Sequence, residues 1–63
     1  MISSRDILRK LRENGWVEVH TNGSHVQLKH PSKSGKVTVK HPAKDCPLGT
    51  LKSIERQSGV RLR

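Results

Sequence analysis

The hydrophobic period changes twice along this chain, and that double change restricts the folds open to it more than any other feature. Ile7, Leu8 and Leu11 fall on one stripe of a helix, whereas between Trp16 and His41 apolar residues alternate with polar ones, as on strands with one buried face. Leu48, Leu51 and Ile54 then return to a spacing of three. The chain therefore reads as helix, strands, helix.

The first helix is expected over residues 3–14. Ser3-Ser4-Arg5-Asp6 has the form of a capping box, Arg5, Arg9 and Arg12 point outward, and Gly15 can close the helix in the left-handed conformation. A strand follows from Trp16, with Val17 and Val19 inward and Trp16, Glu18 and His20 outward, then a turn at Thr21-Asn22-Gly23-Ser24. His25 to His30 form a second strand with Val26 and Leu28 inward, stopped by Pro31, which cannot donate to a ladder. After a turn at Ser32–Gly35, Lys36 to His41 form a third, with Val37 and Val39 inward and Pro42 ending it. Pro47 stands at or just before the second helix, whose apolar face is Leu48, Leu51 and Ile54, and Gly59 stops it so that Val60 packs back.

A single antiparallel sheet with one apolar face must be covered there by both helices, so the expected architecture is α+β, αβββα, as one domain over residues 1–63. The core is thin: Ile, Leu and Val number 15, Phe and Tyr are absent, and Trp16 is the one aromatic. A domain of this size buries only about 60% of the surface its unfolded chain exposes, which favours added burial against a partner.

Lys and Arg number 13 against 5 Asp and Glu, a formal charge of +8, the footprint of a chain that meets polyanions. The hydrophobic periods argue against a disordered basic tail. No apolar run approaches the 18 residues of a membrane span and no signal-peptide core precedes Arg5, so the expected location is the cytoplasm. The lone Cys46 has no disulfide partner and reads as a small filler beside a loop.

Alternation leaves one sheet face open: Trp16, Glu18 and His20, then His25, Gln27 and Lys29, then Lys36, Thr38 and Lys40. If residues 21–24 form a four-residue loop, His20 and His25 stand directly opposite with Cβ atoms about 5 Å apart. Histidine, with an ordinary pKa near 6.5, both takes and gives protons near neutral pH. Lysines beside it would bind a phosphate and stabilise charge building there. RNA brings its own nucleophile, the 2′-hydroxyl, so a histidine base and a cation on the phosphate suffice, with no metal and no cofactor required, giving a cyclic phosphate and a 5′-hydroxyl. The plainer alternative is that the two histidines are solvated surface residues. A merely solubilising role for the lysines is argued against by five of them between Lys29 and Lys44 with Glu18 the one acid in residues 16–44. His30 and His41 run in phase with the apolar residues and take structural roles, and the histidines with Cys46 lack zinc-ligand spacing. Gly23 supplies a positive φ for the turn, and Ser24 serves either that turn or a phosphate oxygen.

Gly15-Trp16, Gly23-Ser24-His25 followed by Leu28, His41-Pro42, Gly49-Thr50-Leu51 and Gln57-Ser58-Gly59-Val60, in this order, resemble the HicA family of bacterial toxins over nearly the whole chain. The resemblance implies a double-stranded-RNA-binding-domain-like αβββα fold and messenger-RNA cleavage, a toxin of a type II toxin–antitoxin pair. It implies that His25, in the Gly-Ser-His motif, is the catalytic residue. It also implies a HicB antitoxin, an acidic protein that covers the active site in a hetero-oligomer. Leu28 stands where an aromatic is usual, and His20-Thr21 where Arg-Gln is frequent, so no family role attaches to His20.

The leading expectation is a metal-independent endoribonuclease with His25 as general base, Lys29, Lys36 or Lys40 as phosphate ligands and His20 as candidate acid. The alternative is a non-catalytic RNA-binding module of the same fold. A DNA-binding repressor has less support, because the second helix carries only Lys52 and Arg56 as bases and lacks the preceding helix of a helix-turn-helix.

Overall fold

A computed structural model describes residues 2–63 and places α1 at Ser4–Glu13, β1 at Val17–Asn22, β2 at His25–His30, β3 at Lys33–Lys40 and α2 at Leu48–Ser58. The strands form one antiparallel meander in the order β1-β2-β3. Ile7, Leu8 and Leu11 of α1 and Leu51 and Ile54 of α2 join Val26, Leu28, Val37 and Val39 of the sheet in one buried cluster, closed by Val60 and Leu62. Both helices thus lie over one sheet face, in the expected order.

The start of α1 follows its capping sequence. Ser3 Oγ accepts from the Asp6 N–H at 3.2 Å and donates to the Asp6 carboxylate at 3.1 Å, satisfying one of the free amides of the first turn. At the other end Gly15 takes φ +92°, and a Cβ built there would lie 2.7 Å from His30 Nε2. Gly15 is therefore fixed by its conformation and by the close approach of β2.

β1 departs from the simple alternation. Its register is Asn22 to His25, Thr21 to Val26 and His20 to Gln27, then jumps to Glu18 opposite Leu28 and Val17 opposite Lys29, leaving Val19 as an inserted residue. An extra residue reverses the phase of everything before it. Trp16, expected on the open face, is buried in the core, while Val17 and Val19, expected inward, are 56% and 53% exposed. Glu18, also expected on the open face, lies on the helix side, where its carboxylate accepts from Arg12 Nη1 at 2.5 Å. Burying the one large aromatic in place of a valine covers more apolar surface.

The remaining corrections are local. The first turn is Gly23-Ser24 alone, with Gly23 at φ +61° and Ser24 not positive, the type II′ pattern that joins twisted strands, so Thr21 and Asn22 belong to β1. β3 begins at Lys33 because the second turn narrows to Pro31-Ser32; Lys29 pairs with Lys36 and His30 with Lys33, and Ser34 and Gly35 bulge between them. Lys33 Nζ donates to the Ser58 carbonyl at 3.0 Å, a cation on the negative end of α2. Leu48 is 56% exposed, not buried. At about 100° per residue it lies roughly 90° from the middle of the Leu51, Ile54, Ser58 stripe. Gly59 ends α2 at φ +71° as expected.

Candidate active site

The open sheet face is organised in three cross-strand rows, Asn22–His25–Lys40, His20–Gln27–Thr38 and Val17–Lys29–Lys36. With Glu18 turned toward α1, this face carries no carboxylate. His25, Lys29, Lys36 and Lys40 are all exposed on it, and Lys36 Nζ donates to Gln27 Oε1 at 3.3 Å.

The sheet does not set His20 opposite His25. Because the hairpin loop has two residues, Asn22 takes that place and His20 stands in the next row, on a diagonal that typically separates Cβ atoms by about 7–8 Å. His25 instead flanks Lys40, which the register pairs with it directly. Asn22, which a four-residue loop would put in the turn, is thus a neighbour of His25; Gly-Ser as a two-residue hairpin loop is the sequence signal for it.

Ser24 is half-buried, and its carbonyl accepts from the His41 N–H at 2.7 Å, which fastens the end of β3 to the turn that carries His25. Among the described residues the Ser24 hydroxyl has no side-chain hydrogen bond, and it remains free for a ligand. His41 is anchored in turn, its Nδ1 sharing a hydrogen bond with Ser4 Oγ at 2.8 Å, while Ser4 Oγ accepts from the Ala43 N–H at 2.8 Å. His30 packs edge-on against Trp16 with ring centroids 5.4 Å apart and binds the Asn14 carbonyl at 3.0 Å through Nε2. Both have the structural roles expected of them.

A groove of about 450 Å³ begins at His25, Thr38 and Lys40 and continues past Asp45, Cys46, Pro47 and Thr50. Partial burial raises the Cys46 thiol above its ordinary pKa, so Cys46 keeps its proton and acts as lining. The loop after β3 has no period, and nothing in the sequence signalled that it returns beside His25. Among the described residues no three of His, Cys, Asp and Glu converge as a metal cage would need. No helix of the described residues is long and apolar enough to cross a membrane.

The family described as the HicA toxin of bacterial toxin–antitoxin systems matches residues 4–60. The chain belongs to the HicA toxin family. No curated protein matches it. Among solved structures, a HicA3 and HicB3 toxin–antitoxin complex contains a chain similar to it, with 27% identity and a TM-score of 0.78 over 98% of this chain and 100% of that one. The HicA fold, double-stranded-RNA-binding-domain-like, is the αβββα arrangement found here.

Proposed function

We propose that this HicA toxin is an endoribonuclease that cleaves messenger RNA through His25 without a metal ion and is neutralised by an acidic antitoxin of the HicB type. The observation that carries the reading is the Asn22–His25–Lys40 row, a histidine paired with a lysine on an exposed sheet face free of carboxylates. An anionic strand meets no like charge there.

His25 takes the proton of an RNA 2′-hydroxyl, and the freed oxygen attacks the adjacent phosphorus. Lys40, with Lys29 and Lys36 along the strand path, binds the phosphate and offsets the charge that grows on its oxygens. The 5′ oxygen leaves with a proton from His20, on the diagonal of the same face, or from water. The products are a 2′,3′-cyclic phosphate and a 5′-hydroxyl. The Ser24 hydroxyl supplies a further donor, and Gly23 holds the turn that presents it.

A net charge of +8 suits an acidic partner as well as RNA, and the similar solved chain is held with HicB3 in its complex. A messenger-RNA substrate implies action in the cytoplasm. The test is incubation of the protein and of His25→Ala with a defined single-stranded RNA in excess EDTA, reading the ends of the fragments. Cyclic-phosphate ends from the wild type and a loss of about 10²-fold or more in the variant are expected. RNA bound by both proteins and cut by neither would make this a binding module.

A further inference from the structure

We propose that the groove running from His25 past Asp45 and Thr50 is a subsite for one RNA base next to the bond to be cut, and that Asp45 makes it favour bases carrying an amino group over uracil. The inference rests on the reading of His25 and Lys40 as the phosphate site.

His25 and Lys40, which would hold that phosphate, are themselves part of the groove's lining, with Thr38 of the same sheet face. Its volume of about 450 Å³ exceeds what a single base needs, and the partly exposed Ala43, Cys46 and Pro47 in its lining give an apolar surface for the flat face of a base. Asp45 and Thr50, from the loop after β3 and the start of α2, line the same groove. Asp45 forms no ion pair and accepts no side-chain hydrogen bond among the described residues, although cations far outnumber acids in this chain.

A carboxylate is acceptor-only, so it rewards N–H groups and repels carbonyl oxygens. The exocyclic amines of adenine and cytosine each offer it two hydrogens. Uracil offers one N–H between two carbonyls and brings an oxygen against the second carboxylate oxygen. The Thr50 hydroxyl, donor and acceptor both, accommodates either remaining ring edge. An acid set into a polyanion-binding surface costs affinity for phosphate everywhere and returns it only where a base can donate.

The test uses 2′-O-methyl homohexamers of adenosine, cytidine and uridine, which lack the nucleophile and present the same base in every register. The wild-type protein should bind the adenosine and cytidine hexamers about tenfold more tightly than the uridine hexamer, within the range for one base contact. Asp45→Asn, which can donate as well as accept, should bring the three within about twofold while raising all affinities through the lost charge. Lys29→Ala, outside the groove, should weaken all three alike. Equal binding of the three by the wild type, no binding at all, or a ratio untouched by Asp45→Asn would overturn the subsite. Failure to cut ordinary RNA would overturn the nuclease reading alone, because these hexamers are bound and not cut.

Discussion

His25 and His20 share a sheet face but not a row, and their removal should differ accordingly. A general base must be deprotonated to act and a general acid protonated, so a pair gives a pH–rate profile with an acid limb and an alkaline limb. His20→Ala is expected to slow cleavage about 10- to 100-fold and to flatten the alkaline limb while the acid limb persists. An unaltered alkaline limb would assign the leaving-group proton to water. Gly15 shows a different constraint at the same scale. Gly15→Ala combines φ +92° with a 2.7 Å approach to His30 Nε2. It should cost about 1–3 kcal/mol of stability by thermal unfolding. The penalty of Gly15→Ala should be smaller in a His30→Ala background, where only the backbone part survives. An equal penalty there would show that the contact with His30 carries none of it.

Among the elements, β1 marks the boundary of what the sequence makes legible. Period alone gives the two helices, β2 and the inward set Val26, Leu28, Val37 and Val39, because regular pairing translates spacing directly into facing. It misassigns Trp16, Val17 and Val19, since a bulge depends on how β1 meets β2 and leaves no mark in a single strand's spacing. Deleting Val19 should leave Glu18 opposite Leu28 and His20 opposite Gln27 as consecutive regular pairs, with Trp16 still inward. The expected result is an unchanged, blue-shifted emission from this single tryptophan. Red-shifted emission would contradict the assignment of Val19 as the inserted residue. At the end of α2, Glu55 Oε2 accepts from the backbone N–H groups of Leu62 at 2.8 Å and Arg63 at 3.1 Å, and Oε1 from Arg63 Nε at 3.1 Å. The Leu62 amide is the first cause of a carboxyl pKa held below its ordinary value, with the Arg63 amide and guanidinium adding to it. The sign follows: the lowered value favours the folded state above the ordinary carboxylate range, and that contribution fades as pH falls through the lowered value. Glu55→Gln should therefore show less loss of stability on acidification than the wild type, measured by thermal midpoints across the acid range.

For the whole molecule, fold and site were legible to different depths. His25, Lys29, Lys36 and Lys40 could be placed on one face because β2 and the end of β3 pair regularly. The row that joins His25 to Lys40, and the loop that brings Asp45 and Thr50 beside them, depend on turn length and on chain return, which no local pattern encodes. The consequence is electrostatic as well as geometric, for the phase reversal in β1 removes Glu18 from the open sheet face and leaves the strands of that face without a carboxylate. Binding to single-stranded RNA should accordingly weaken steeply with salt, and each of Lys29→Ala, Lys36→Ala and Lys40→Ala should lower the log–log salt slope by about 0.7. The most direct test of the central claim is single-turnover cleavage of one defined RNA by the wild type, His25→Ala and Lys40→Ala in EDTA, with circular dichroism confirming that all three are folded. Cleavage to cyclic-phosphate ends that is lost with His25 and reduced about tenfold or more with Lys40 is the predicted outcome. Undiminished cutting by folded His25→Ala would contradict it.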